Sequence, residues 1–135
     1  MTKDTHLTER QIKVLKLRAR GYIQAEIARQ FGTSRANISA TEKKAMININ
    51  RARKTLNLAK MLEAPLWFTV EPEEDLNDIV KNIYNKADSN GIHISQNFPA
   101  LANLIQEKAE EKIWGRRVIL KMEIAITKAG EVLVR

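Results

Sequence analysis

The chain has 135 residues, 44% of them hydrophobic, so it has room for one ordinary domain or two small ones with a packed core. It contains no Cys and only two His, which excludes disulfides, thiolate metal sites and zinc fingers. No apolar run approaches the roughly 20 residues that span a bilayer, and the N-terminal stretch MTKDTHLTER is too polar for a signal peptide. A cytoplasmic protein with no membrane partner is predicted.

Charge is distributed unevenly along the chain, whose net charge is +7. Residues 1–62 contain 14 Lys/Arg and 4 Asp/Glu, whereas residues 63–135 contain 9 and 12. This pattern predicts a basic, polyanion-binding domain over residues 1–62 and a second domain over residues 66–135 that does not share the role. A general excess of Lys and Arg that only keeps a protein soluble does not predict this asymmetry.

The basic half begins with two short predicted helices. In LTERQIKVLKLRARG, Thr8 is placed to cap a helix, Gln11 completes a capping box, and Gly21 marks the C-terminal end. The second helix, IQAEIARQFG, is predicted to place four apolar side chains on one face: Ile23, Ile27, Ala28 and Phe31. The small Ala28 suits a close crossing of two helices.

A third predicted helix follows a tight corner, Gly-Thr-Ser. Gly32 is suited to the positive φ of the turn, Ser34 caps the new helix, and Ile38 is its inward anchor. No Gly or Pro occurs between Ser34 and Pro65, so one helix of nearly 30 residues, about 40 Å long, is predicted. The alternative is a break near residues 46–50, where two Asn residues favour the helix less.

These elements carry a resemblance to known DNA-binding proteins. The stretch LTERQIKVLKLRARG followed by IQAEIARQFGTSRANIS resembles the helix-turn-helix shared by the promoter-reading end of bacterial sigma factors and by quorum-sensing-type activators. Over its full length the chain resembles the archaeal Tfx family of DNA-binding proteins, which pair an N-terminal helix-turn-helix with a C-terminal domain of about this length. One departure is Ile23, where related motifs usually carry Ser or Thr as a cap; it weakens a phosphate contact there and not the fold.

The first two turns of a recognition helix face base edges in the major groove. Arg35 is suited to guanine O6/N7 and Asn37 to adenine N6/N7, and small Ala side chains suit thymine methyl groups. The predicted base-contacting residues are Arg35, Ala36, Asn37, Ser39 and Ala40. The predicted phosphate-contacting residues are Thr33, Ser34, Lys43 and Lys44. The alternative for each residue taken singly is a solvated helix face.

Farther along the long helix, small and apolar residues recur at intervals of a heptad seam. The seam predicts a homodimer through these residues: Ala45, Ile49, Ala52, Leu56 and Ala59. The alternative is intramolecular, with the seam packed against the first helix and the second domain.

The acidic half is predicted to contain a strand, two helices and a closing hairpin. LWFTVEP is a short strand, EEDLNDIVKNIYNKADSNG an amphipathic helix, and FPALANLIQEKAEEKI a second helix that buries Leu101, Leu104, Ile105 and Ile113. In RRVILKMEIAIT one strand face alternates Val118, Leu120, Met122, Ile124 and Ile126, and EVLVR returns after the turn KAGE. The predicted class is therefore α+β: an all-α helix-turn-helix domain with a long following helix, then a small α+β domain.

The second domain carries no recognisable catalytic set. The sequence has no Gly-rich phosphate loop, no Ser/His/Asp or Cys/His set and no metal-ligand spacing, so no enzyme, cofactor or metal site is predicted. The acidic cluster of residues 71–75 is explained by the dipole of the helix that follows. Arg116 and Arg117 suit either an anionic small effector or a strand edge blunted by charge. Regulation or oligomerisation is the role left for residues 66–135.

Two functions remain as predictions. The first is a sequence-specific regulator of transcription that reads the major groove of double-stranded DNA with the helix starting at Ser34. The alternative is an architectural DNA-binding protein of low sequence specificity, which would rely mainly on phosphate contacts.

Overall fold

The computed structural model describes residues 2–135 and divides into two compact units. Unit 1 ends at Thr55 and unit 2 runs from Leu56 to Arg135, so the division lies within the third helix, earlier than the predicted domain end at residue 62. Five α-helices and two antiparallel sheets are present in the described residues, and all the strands lie in unit 2. The predicted α+β class is confirmed.

The first helix, α1, spans Glu9–Ala19 and begins with the predicted capping box. Thr8 Oγ1 accepts from the backbone N–H of Gln11 at 3.1 Å, and Gln11 Oε1 accepts from the N–H of Thr8 at 2.9 Å. Two donors that the first helical turn leaves without a partner are thereby satisfied. The second helix, α2, spans Gln24–Phe31. Isoleucine has no acceptor to cap it, and only the reverse bond forms, from Ile23 N–H to Glu26 Oε1 at 3.3 Å.

The corner after α2 has the predicted chemistry. Gly32 adopts φ +65°, in the left-handed region. The N–H of Thr33 donates to Ala28 O at 3.0 Å and that of Gly32 donates to Arg29 O at 3.3 Å, the two bonds of a Schellman motif. Ser34 Oγ then accepts from the N–H of Asn37 at 3.1 Å and caps the next helix, α3, which spans Arg35–Glu63.

The core of unit 1 is small and lies where the three helices meet. Its buried residues are Val14, Ile27, Ala28 and Ile38, with Leu17 and Phe31 packed against them. The prediction that Ile23 shares the buried face is wrong, because this residue precedes the first turn of α2 and is 55% exposed.

Helix α3 is continuous over 29 residues, about 43 Å at 1.5 Å per residue. The alternative of a break near residues 46–50 is wrong. Asn48 lies in this stretch, and its Nδ2 donates to His6 O at 3.1 Å. Its side chain therefore bonds another segment and does not compete for the helix backbone.

Unit 2 is built on a three-stranded antiparallel sheet in the order β1–β4–β5. The strands span Leu66–Val70, Met122–Ile126 and Val132–Val134. Leu66 pairs with Ile126, and Ile124 with Val134.

Both faces of this sheet are covered. On one face the buried residues of the strands share a core with α4 (Leu76–Ser89) and α5 (Phe98–Lys108). On the other face Ala125 and Leu133 cluster with Met61 from the last turns of α3. The sequence pattern predicts one buried face for this strand. Because β4 is buried on both faces, that prediction is incomplete.

Two predicted elements of unit 2 end earlier than expected. The second helix stops at Lys108, and a 3-10 turn over Glu110–Lys112 leads to β2 (Ile113–Trp114). The predicted strand RRVILKMEIAIT is interrupted, with β3 over Arg117–Val118 and β4 starting at Met122. Leu120 falls in the interruption and is 54% exposed, so its predicted place on the buried face is wrong.

The β2–β3 hairpin joins the segment that enters α4. Glu73 N–H donates to Val118 O at 2.8 Å, Val118 N–H to Glu74 O at 3.0 Å, and Leu76 N–H to Arg116 O at 2.7 Å. Asp75 caps α4 by accepting from Asn77 N–H at 2.9 Å. Strand β3 is therefore held by the backbone of residues 73–76, a partner that the sequence pattern did not predict.

Unit 2 also holds a tyrosine with a perturbed ionisation. Burial raises the pKa of the Tyr84 phenol, and its O–H donates to Gln96 O. Both effects favour the neutral phenol in the folded chain.

Candidate nucleic-acid interface

The start of α3 presents a solvent-exposed face. Ile38 is completely buried in the core of unit 1, which fixes the rotation of the helix about its axis. Of the predicted base-contacting residues, four are exposed and Ser39 is half-buried; the exposed ones are Arg35, Ala36, Asn37 and Ala40. Since the first two turns of α3 carry no bulky apolar side chain on this face, the backbone is open to close approach by a ligand.

The predicted phosphate-contacting residues lie just before the first turn of α3 and on its third turn. Ser34 is exposed and caps α3, whereas Thr33 is half-buried. Lys43 and Lys44 are both exposed. Lys43 follows Ala36 and Ala40 at the spacing of one helix face, so it lies on the same line as two predicted base-contacting residues.

Arg35 is held by a chain of polar side chains that the sequence did not indicate. Its Nη1 donates to Gln24 Oε1 at 3.0 Å, and Gln24 Nε2 donates to Glu42 Oε2 at 3.2 Å. Arg18 Nε lies 3.0 Å from the same carboxylate oxygen. The chain runs from Arg35 on α3 to α2, returns to α3 at Glu42 and ends on α1, so it ties the orientation of Arg35 to the packing of all three helices.

Asn37 is held separately by α1. Arg10 Nη2 donates to Asn37 Oδ1 at 2.7 Å, and Arg10 Cζ lies 5.3 Å from the centroid of the Phe31 ring. The aromatic face attracts the guanidinium and limits its freedom. Arg10 and Gln24 are therefore residues of the candidate site that sequence reasoning missed.

Positive charge continues along α3 beyond the predicted site. Residues 1–55 contain 13 Lys/Arg and 4 Asp/Glu. Between residues 2 and 55 the structure contains one ion pair, Arg18 with Glu42, so most of these cations have no carboxylate partner. Three exposed cations that the site prediction did not include follow on the helix: Arg51, Arg53 and Lys54.

The predicted dimer seam is partly available on α3. Ala45 is completely buried and offers no surface to a second copy, and Ile49 is half-buried. Ala52, Leu56 and Ala59 are exposed, Leu56 to 66%.

The β2–β3 hairpin of unit 2 presents both basic and aromatic side chains to solvent. Arg116 and Arg117 are exposed, and Trp114 is 79% exposed. Arg117 Nη1 donates to the backbone oxygen of Glu73 at 3.3 Å. An anionic effector at this place stays a prediction. Within residues 2–135 no group of three or more His, Asp or Glu side chains is arranged to hold a metal ion, and no described helix is long and apolar enough to cross a bilayer.

Comparison with known proteins gives matches over nearly the whole chain. Residues 52–134 match a family model described as "DNA-binding protein, TFX, C-term". The chain belongs to the Tfx family. It is 42% identical over 134 residues to "DNA-binding protein Tfx" of Methanothermobacter marburgensis, with 99% of this chain and 97% of the relative covered. The predicted resemblance to this family is therefore confirmed.

Other Tfx-family relatives extend the comparison. The Methanothermobacter thermautotrophicus protein of the same name is also 42% identical over 134 residues, covering 99% of this chain and 97% of its own. A "Putative transcriptional regulatory protein" of Methanocaldococcus jannaschii is 44% identical over 131 residues, 97% of this chain and 96% of the relative. These relatives are named as DNA-binding or transcriptional regulatory proteins and not as enzymes.

Proposed function

We propose that this Tfx-family chain is a sequence-specific transcription regulator that inserts the start of α3 into the major groove of double-stranded DNA. The observation that carries the proposal is the exposed face of the first two α3 turns, held in place by buried Ile38 and by the Gly32 corner. In this proposal α2 and α3 form a helix-turn-helix, and α3 is the recognition helix. The names of the relatives support DNA binding and regulation.

Dimensions and charge support this mode of binding. An α-helix with its side chains is about 10–12 Å across, close to the roughly 12 Å width of the major groove. The excess of Lys/Arg in residues 1–55 matches a polyanion, because phosphate neutralisation supplies much of the affinity for duplex DNA. The exposed face of α3 fits the width of the groove, and the cations around it attract the DNA phosphates.

Roles within the surface follow from where each side chain lies. Arg35 and Asn37 flank the exposed face and contact bases, while Ala36, Ala40 and half-buried Ser39 allow the helix to approach the base edges. The proposed phosphate contacts are Thr33, Ser34, Lys43 and Lys44.

Replacing Arg35 by Ala tests the recognition helix directly. We expect Arg35→Ala to weaken binding to the preferred duplex by about 1–3 kcal/mol and to weaken random duplex far less, because a base contact discriminates and a phosphate contact does not. Lys44→Ala is the matched loss of one positive charge on the same helix. It should weaken both duplexes alike and reduce the slope of log K against log salt by about one unit.

Fluorescence anisotropy titrations of both variants at several salt concentrations measure these effects. Equal losses for Arg35→Ala on preferred and random duplex would remove Arg35 from base recognition.

One observation favours an architectural protein of low specificity as the second candidate. Arg51, Arg53 and Lys54 are exposed on α3 beyond its first turns, and cations there suit the phosphate backbone without reading sequence. In that case both Arg35→Ala and Lys44→Ala would act as simple losses of charge. The same titrations therefore separate the two candidates.

We further propose that the protein binds DNA as a homodimer through the exposed part of the α3 seam. Ile49, Ala52, Leu56 and Ala59 would form it, and Ala45 would not because it is buried within its own chain. The leucine is exposed to solvent in the single chain, and its burial in a dimer would stabilise the pair. Light scattering should give twice the 15.4 kDa mass of the chain. A monomer mass at micromolar concentration would contradict the dimer.

A further inference from the structure

The oxygen acceptors around the start of α3 are already engaged by neighbouring side chains. We call the side chains of Arg10, Gln24, Arg35, Asn37 and Glu42 the reading surface. We propose that this surface is built to donate hydrogen bonds and not to accept them, so that it recognises guanine and thymine edges and makes no use of the amino groups of adenine and cytosine. This inference rests on the proposed function and specifies what the same site reads.

The first observation is the direction of the Asn37 amide. Its Oδ1 accepts from Arg10 Nη2 at 2.7 Å, while its Nδ2 has no hydrogen-bond partner among residues 2–135. The reversed amide would set Nδ2 against Arg10, two donors facing each other, so the arrangement is fixed by hydrogen-bond chemistry. The guanidinium of Arg10 also lies over the Phe31 ring. Asn37 therefore turns its donor to the solvent.

The second observation is the occupation of the two remaining acceptor groups. Gln24 Oε1 accepts from Arg35 Nη1 at 3.0 Å. Glu42 accepts from Gln24 Nε2 at 3.2 Å, and Arg18 Nε lies 3.0 Å from the same Oε2. The carbonyl and the carboxylate thus each already accept from a donor within the protein. Arg35 uses one of its five N–H groups in this chain and keeps others for a ligand.

Because each base presents its own donors and acceptors in the major groove, a surface that mainly donates hydrogen bonds prefers some bases to others. In the major groove guanine offers the acceptors N7 and O6, and thymine offers O4, whereas adenine N6 and cytosine N4 are donors that need an acceptor on the protein. Each acceptor group of the reading surface already accepts from the protein and could bind a base amino group only through a remaining lone pair, whereas Arg35 and Asn37 have N–H groups without a partner. The hydroxyl of Ser39 can donate or accept. Contacts to a G·C pair would therefore go to its guanine edge.

This changes the expectation for Asn37. The bidentate pairing with adenine that the sequence suggests requires Oδ1 to accept from adenine N6, and Arg10 already donates to that oxygen, so adenine would have to share it through the second lone pair. Asn37 would instead donate to guanine or to thymine O4. Arg10 is then a positioning residue, since it acts on the bases through the amide that it orients.

Base analogues in the duplex that the wild-type chain selects test the polarity without changing the protein. Replacing each contacted guanine by 7-deazaguanine removes an acceptor, and we expect about a tenfold loss of affinity. Replacing each adenine of the site by purine removes only the N6 donor, and we expect a change below about twofold. A tenfold loss on removal of adenine N6 within the site would overturn the inference.

The variant Arg10→Met tests the positioning role, with Lys13→Met as the matched loss of one exposed cation on α1. Freed of Arg10, Asn37 can accept, so selection from randomised duplex with Arg10→Met should recover adenine at the position that wild type and Lys13→Met fill with guanine or thymine. An unchanged base at this position in Arg10→Met would overturn the role of Arg10.

The proposed function and the inference about donor polarity can be contradicted separately. If wild-type chain enriches no motif, the proposed sequence-specific function is wrong and this inference falls with it. If a motif is enriched but depends on adenine N6, the function stands and only the donor polarity is wrong.

Discussion

Unit 1 and unit 2 use their residues in opposite ways. Unit 1 holds four buried side chains where its helices meet, and polar side chains of α1, α2 and α3 bond one another on its surface. Unit 2 buries sixteen residues in one cluster on one face of its sheet and a smaller cluster with Met61 on the other. Helix caps and the Gly32 turn fix how the helices of unit 1 begin and end, so a small core is enough to pack them. The polar side chains outside that core are then available to a ligand.

The difference extends to charge. Residues 1–55 carry a large excess of Lys/Arg, while residues 56–135 contain 10 Lys/Arg and 12 Asp/Glu. Like charges that are not paired within a unit repel one another, so a strongly basic surface is retained for what it binds rather than for stability. This comparison predicts that unit 1 is sensitive to changes in its core and that unit 2 is sensitive where backbone segments approach closely.

The largest expected effect is the loss of a core side chain in unit 1. Ile38→Ala should cost about 2–5 kcal/mol in the free energy of unfolding, because Ile38 is one of the four buried residues that form the cluster where the helices meet. Hydrogen exchange should show loss of protection in α1 and α2. Ile105→Ala, in the larger core of unit 2, is the matched control and should instead release amides of α4 and α5. Equal protection of α1 and α2 in both variants would contradict the comparison.

Two glycines with positive φ provide a second, smaller contrast. A Cβ on Gly130 would lie 1.9 Å from His93 O, whereas a Cβ on Gly32 would meet nothing within 4 Å. Gly32→Ala should cost about 1 kcal/mol from backbone strain alone. Gly130→Ala should cost at least about 2 kcal/mol, because the backbone must also shift. Urea unfolding measures both, and equal costs would argue against the close approach at Gly130.

The smallest expected effect is a gain of stability at a strained position of unit 2. Glu73 has φ +79°, the one positive φ outside glycine in residues 2–135. Glu73→Gly removes a strain of about 1–2 kcal/mol but adds roughly 0.5–1 kcal/mol of chain entropy to the unfolded state. We expect a net gain of up to about 1 kcal/mol in urea unfolding. Glu71→Gly removes a carboxylate from the same acidic cluster without relieving strain, and it should destabilise.

Local chemistry was the part of the fold that the sequence made predictable. The Thr8–Gln11 capping box, the Ser34 cap and the Gly32 corner each depend on residues within a few positions of one another, and all three are present. The 29-residue helix was predictable because no Gly or Pro interrupts it. Membership of the Tfx family was also predictable, from the resemblance of the chain over its full length.

The rest depended on partners distant in sequence. Leu120 is exposed because β3 ends after Val118, and β3 is held by residues that enter α4, more than forty positions earlier. Arg10 reaches Asn37 across 27 positions, and Arg35 reaches Gln24 across 11. Such pairs are set by how helices cross, and periodicity within one helix does not contain that information.

The most direct test of the central claim is a selection from randomised duplex DNA at near-physiological salt. We expect enrichment of a motif with two related half-sites about one helical turn apart, since a dimer would place one α3 in each of two successive turns of the major groove. A single enriched half-site would retain base reading and exclude the dimer. Strong binding at low salt with no enriched motif would contradict sequence-specific recognition by α3.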